Sequence, residues 1–167
     1  MQDGPTLSGH TPTIMLVTAT RFLQLYLGSL VVGTMFAVWV GYDPRGLTHA
    51  TFVEQHQNAV SGLNTLIPAL GALLILLTLL LVYLLREQSG QRWPLLVGAL
   101  CFVGAGLATR LGCQPINALV DTWTTEDPPS DWQALRADWW HYHLLRLGSG
   151  AIGFALVLWA ALRSRTR

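Results

Sequence analysis

Long uninterrupted apolar runs dominate this chain, where a soluble helix would show a two-sided alternation. Residues 63–85, LNTLIPALGALLILLTLLLVYLL, carry no charge. Such a run is long enough to cross the hydrocarbon of a bilayer with some tilt. Asn64 and Pro68 sit in its first turns, where polar and helix-starting residues are tolerated. Residues 144–162 form a second such run, broken only by Arg146 near its start. A third covers 93–112, entered by Trp93 and Pro94 and left near Arg110, and a fourth lies within 14–40 and contains Arg21 and Gln24. The run at 14–40 lacks a basic segment before it and is too long for the core of a signal peptide, so it reads as a retained helix. The pattern predicts an all-α fold, a four-helix transmembrane bundle occupying 14–164. A polar tail precedes it at 1–13 and a basic tail follows at 165–167.

Composition narrows the class. The 167 residues are 51% hydrophobic and only 11% charged, against about 25% charged in a soluble domain. There is too little charge to coat a solvated surface. That argues against a soluble enzyme, a disordered chain or a nucleic-acid binder, and a net charge of +1 offers no field for polyanions. All ten basic residues are arginines. Arg86, Arg92, Arg163, Arg165 and Arg167 fall on one side of the predicted spans, while most acids, among them Asp43, Glu54, Asp121 and Asp131, fall on the other. By the positive-inside bias both termini are expected in the cytoplasm of a bacterial inner membrane, with the two longer connections outside.

Those connections continue the helices. Residues 51–61 and 132–143 contain no Gly or Pro and run straight into spans two and four, so helices 2 and 4 are expected to project past the membrane on the outer side. Ser130 or Asp131 is placed to cap the second extension. Trp123, Trp132, Trp139, Trp140 and Tyr142 gather there. They read either as an interfacial aromatic belt or as walls of a pocket for a planar apolar ligand. Cys101 and Cys113 would lie roughly 18 Å apart on a continuous helix, too far for a disulfide. Gly98, Ala105 and Gly112, with Ser149, Gly150 and Gly153, read as close-approach positions between helices, and such small-residue faces would also allow a homo-oligomer.

The informative residues are polar and sit at the outward ends. Glu54, Gln57, Ser61 and Asn64 recur at three- and four-residue spacing and form one face, with His56 turned away from it. Trp139, His143, Arg146 and Gly150 form another on the fourth helix, and Asn117 follows Pro115, which is expected to bend or end the third. An arginine one turn inside a membrane helix must face protein or water and find a partner. Arg146 is therefore expected to turn inward toward Gln57, Asn64, Asn117, Glu54 or Asp138. Two readings follow. One is a polar network that fixes helix register. The other is a pocket with His143 as general base, Arg146 as anion stabiliser, Gln57 and Asn117 as amide hydrogen bonders, and Asn64, Trp132, Trp139 and Tyr142 against the substrate. Glu54, His56, His141 and His143 are nitrogen and oxygen donors suited to copper, iron or zinc. The x-spaced pairs point to opposite sides of a helix, so a site using all four would need broken helices. His10 and His49 read as solvated loop residues.

Four spans with HQN opening the second, QPIN after the third and WWHYHLLR opening the fourth resemble the DUF1772, or anthrone oxygenase-like, membrane proteins. The resemblance runs over residues 16–162, through Gln57, Pro115-Ile116-Asn117, Trp132, Trp139, His143 and Arg146 in order. It implies an oxygenase that converts a lipophilic phenolic or quinone-like substrate, such as a polyketide anthrone, with dioxygen. An anthrone is a carbon acid whose carbanion reacts directly with oxygen, so no cofactor is required. The resemblance then implies that His143 takes the proton, and that Arg146 and Asn117 stabilise the enolate. The alternatives are a non-catalytic membrane protein, binding lipid or quinone or serving as an assembly subunit, and a copper- or iron-dependent redox protein.

Overall fold

The computed structural model describes residues 10–163, and all the regular structure among them is helical. Helix α1 spans His10–Gly41 and α2 spans His49–Leu84. Helix α3 spans Ser89–Ala108. A five-residue wide (π) turn, Thr109–Cys113, joins it to α4, Gln114–Val120. Helix α5 spans Trp132–Leu162. Four segments are long and apolar enough to cross a membrane: Thr13–Gly46, Gly62–Leu84, Ser89–Val120 and Trp132–Leu162. The chain is an all-α, four-helix integral membrane protein.

Helix α2 has 36 residues and is therefore roughly 54 Å long, well beyond a hydrocarbon core of about 30 Å. Its N-terminal third is the expected extension, begun by Thr48, whose side chain accepts from the Thr51 amide. Helix α5 starts at Trp132, again as the unbroken sequence requires. Two boundaries depart from the sequence reading, and a third follows it in part. Helix α1 already begins at His10, inside the stretch read as a polar tail; residues 1–9 and 165–167 of the two tails lie outside the described residues. His49 is the first residue of α2 and is buried, so it is not a solvated loop side chain. Pro115 does not end the third helix. The wide turn lies just before it, with the Gln114 amide reaching back five residues to the Thr109 carbonyl. This respacing accommodates a residue that lacks an N–H and crowds the carbonyl four positions earlier.

The helices close into a ring in which α1 packs on α2 and α5, and α3 packs on α2 and, most extensively, on α5. The α3–α5 contact is close because two glycines meet. A Cβ at Gly98 would lie 3.1 Å from the Gly153 carbonyl oxygen, and one at Gly153 would lie 3.0 Å from that of Gly98. Ser149 donates across the same seam to the Cys101 carbonyl at 2.7 Å. One core, of Leu74, Leu81, Leu95, Phe102 and Val157, fills the end near the chain termini. A second, of Phe52, Cys113, Ile116, Val120, Trp139 and Trp140, fills the opposite end. The polar residues His56, Asn117 and Asn64 collect around Trp139 of this second core.

Candidate functional site

Asn117 on α4 is the hub. The Trp139 indole N–H donates to its Oδ1 at 2.8 Å. Because an indole nitrogen only donates, this contact fixes which way the Asn117 amide points. His56 Nε2 lies 3.1 Å from the same Oδ1, so Nε2 must carry the ring proton. The other nitrogen, Nδ1, is then a bare acceptor, and it lies 3.2 Å from the Tyr42 hydroxyl. Tyr42 donates to His56, and His56 donates to Asn117. Asn117 Nδ2 in turn donates to Asn64 Oδ1 at 2.9 Å. One donor-only indole thus sets the direction of a chain that joins Tyr42, just after α1, to α2, α4 and α5. His56 is wholly buried, and burial pushes its pKa down to about 4, so the ring is neutral at ordinary pH.

The inward row of the α2 extension is therefore Phe52, His56, Val60 and Asn64, a strict four-residue spacing. The expected row of Glu54, Gln57, Ser61 and Asn64 is not the buried one. Glu54 is exposed. Gln57 turns to the connection after α4, where its amide donates to the Val120 carbonyl at 2.9 Å and the Trp123 carbonyl at 3.1 Å. It tethers that connection to α2, beside the stacking of Trp123 on His49.

Arg146 turns inward, but its partner is neither an acid nor an amide from another helix. Its Nε and Nη2 approach His143 Nδ1, one turn back on α5, at 3.1 and 2.9 Å. A guanidinium has only donors, so His143 Nδ1 is the acceptor and its remaining proton sits on Nε2. The guanidinium carbon also lies 5.8 Å from the centre of the Trp139 ring, within cation–π range. The ion pairs among the described residues are Arg45 with Asp43 and Arg86 with Glu87, both exposed. Arg146 thus enters the bundle with no carboxylate beside it.

A cavity of about 240 Å³ lies against this guanidinium, somewhat below the usual range of about 300–1,000 Å³ for small-molecule sites. All four membrane segments wall it, chiefly with apolar side chains such as Met35, Leu63, Ile67 and Phe102. Tyr42, Asn64, Asn117, Trp139 and Arg146 meet at its polar end. Of the candidates read from the sequence, Asn117, Asn64, Trp139 and Arg146 converge there. His143 is wholly buried behind Trp139, stacked on it at 5.4 Å with ring planes 4° apart, and is not part of the wall. Gln57, Trp132 and Tyr142 also lie away from the cavity. Trp132 packs edge-on against His49 at 5.2 Å, and Tyr142 covers Gly112. The metal candidates do not assemble: Glu54 and His141 are exposed, both His56 nitrogens are engaged, and His143 Nδ1 faces a cation. Among the described residues no three His, Cys, Asp or Glu side chains form a metal-binding group.

Tyr42 is the cavity residue that sequence reasoning missed. It follows the end of α1 and belongs to no periodic pattern. Its neighbours His56 and Trp139 are distant in sequence, and only the fold joins them.

Residues 57–156 match the model of a protein family described as anthrone oxygenase. The match begins at Gln57 and takes in every wall residue of α4 and α5 named above. No curated protein and no solved structure matches the chain significantly.

Proposed function

The chain belongs to the anthrone oxygenase family, and from that premise we propose that it is a membrane-embedded oxygenase acting on a lipophilic phenolic substrate of the anthrone type with dioxygen. The observation that carries this reading is Arg146: a part-buried guanidinium with no carboxylate partner among the described residues, in the wall of a mainly apolar cavity whose other guanidinium, Arg110, is exposed and bonded to Gln114. An ionised side chain within a membrane helix is costly unless it faces protein or a cavity and finds partners, and by default it marks a functional site. An anthrone supplies an anionic partner, because loss of a methylene proton leaves an enolate whose negative charge resides on the ring oxygen. In this reading Arg146 and the Asn117 amide hold that oxygen, and the apolar walls exclude water and so strengthen the interaction. Trp139, stacked on His143, fixes the Asn117 amide through its indole N–H.

In this reading His143 orients Arg146 and is not the base, since its one lone pair is already committed to the guanidinium. Gln57 fixes the loop that closes the polar end. The enolate carbon reacts with dioxygen to give a hydroperoxide, which loses water. The methylene becomes a carbonyl, and one dioxygen yields the quinone oxygen and one water. We place the site at the outer end of the bundle in a bacterial inner membrane, termini inward, because Arg86, Arg92 and Arg163 cluster at the other end.

Dioxygen uptake by purified protein in detergent, with emodin anthrone as substrate, tests the proposal. The wild type should exceed the uncatalysed rate, and Arg146→Leu should lose about 10²–10³-fold in kcat, as for removal of an oxyanion donor. Wild-type protein that binds the anthrone but leaves its oxidation rate unchanged would make the chain a non-catalytic binder.

A further inference from the structure

The titratable side chains in the cavity wall are Tyr42, Arg110 and Arg146. Among the described residues no carboxylate and no histidine lines it, so the substrate's proton has no conventional acceptor there. Two arginines cannot take it. The hydroxyls of Thr34 and Thr109 are spent on carbonyls of their own helices, at 2.7 and 2.9 Å. Tyr42 remains, and it is the one wall residue whose hydroxyl proton already points at a free nitrogen lone pair, that of His56 Nδ1 at 3.2 Å.

We infer that Tyr42 and His56 form the proton relay of this site, with Tyr42 as the catalytic residue and His56 acting through it. The inference rests on the oxygenase reading above and adds to it the identity of the base. As the substrate C–H bond breaks, its proton passes to Tyr42 Oη while the phenol proton passes to His56 Nδ1. The electron pair of the C–H bond moves into the ring carbonyl as the enolate beside Arg146. Dioxygen then accepts the electrons as the new C–O bond forms. The proton held on His56 returns through Tyr42 to the peroxide, restoring both residues before water leaves. Asn117 has a second role in this scheme. By holding the proton on His56 Nε2, it keeps Nδ1 open toward Tyr42, and its Oδ1 stabilises the imidazolium as it forms. The depressed basicity of His56 fits a group that keeps a proton briefly and gives it back.

The test uses the full-length protein in lipid nanodiscs, with an anthrone and its methylene-deuterated form. Tyr42→Phe keeps the ring that packs on Trp139 and removes only the hydroxyl. It should lower kcat by about 10²–10⁴-fold, leave KM within about threefold, and raise the deuterium isotope effect on kcat. His56→Gln offers an amide oxygen to Tyr42 and an amide N–H to Asn117, but cannot store a proton. A merely structural His56 would be rescued by Gln, whereas the relay would not. Wild-type activity together with kcat within threefold of it in either variant overturns the relay and leaves the oxygenase reading standing. A wild type that does not accelerate the reaction overturns the oxygenase reading, and the relay with it.

Discussion

Replacing Asn117 by Ala probes the hub of the polar network most severely. The change removes the acceptor shared by the Trp139 indole N–H and the His56 Nε2–H, and also the donor to Asn64 Oδ1. Trp139 is 2% and His56 0% exposed, so neither orphaned donor reaches bulk water. Each buried donor left unpaired costs about 1–3 kcal/mol, giving about 2–6 kcal/mol for the pair. Asn64 borders the cavity and is only partly buried, so its oxygen adds little. Against a total stability of about 5–15 kcal/mol, the loss should be large. In a thermal scan followed by circular dichroism in detergent, the midpoint should fall by roughly 5–20 °C. A double-mutant cycle sharpens the test. Trp139→Phe deletes one of the two stranded donors, so Asn117→Ala/Trp139→Phe should be less destabilised than the sum of the singles by about 1–3 kcal/mol. If Asn117→Ala costs less than about 1 kcal/mol, or the two changes simply add, the hub does not exist as described.

Three further outcomes follow from the same contacts. Burial lowers the pKa of His56 from 6.5 to about 4, with Asp121 pulling it up and Arg146 pushing it down. The unfolded chain therefore binds the extra proton first, and this contribution to stability is complete above pH 6.5 and is lost as the pH falls toward 4. Unfolding midpoints measured between pH 8 and 4 should show that decline, and His56→Gln should lessen it. Gln57→Leu removes the side-chain donor to the Trp123 carbonyl and one of two donors to the Val120 carbonyl, which keeps the Trp123 amide; it should cost about 0.5–1.5 kcal/mol and speed protease cleavage within 121–131. Gly98→Val drives a side chain into the Gly153 carbonyl and should cost about 1–3 kcal/mol. Gly33→Ala, where a Cβ meets nothing within 4 Å, should be neutral or stabilising, and equal losses at the two glycines would refute the close α3–α5 approach.

The membrane helices were legible because hydrocarbon demands about 20 apolar residues in a row, and that demand leaves a mark no tertiary contact can disguise. The extensions of α2 and α5 were legible for a related reason, the absence of any breaker between polar and apolar stretches. What misled was the choice of row on α2. Polar residues at Glu54, Gln57 and Ser61 suggested the inward face, yet the buried row carries Phe52 and Val60 on either side of His56. Apolar neighbours at four-residue spacing were the better guide to a buried histidine. Arg146 was rightly expected to turn inward, but its partner lay three residues away on its own helix, a contact that charge pairing does not suggest. His49 and Tyr42 were illegible in principle. Each sits at a helix end, and each takes its meaning from tryptophans brought in by α5 or the loop before it.

The central claim is that Arg146 waits for an anion formed on the bound substrate. Titrating an anthrone bound to the protein under argon, and following enolate absorbance against pH, measures that directly. Bound to the wild type, the anthrone should ionise at least about one pH unit below its value in empty nanodiscs, a tenfold or greater preference for the enolate. Arg146→Leu should abolish the shift while still binding the ligand. An anthrone that ionises at the same pH bound and free, or whose shift survives Arg146→Leu, would contradict the account.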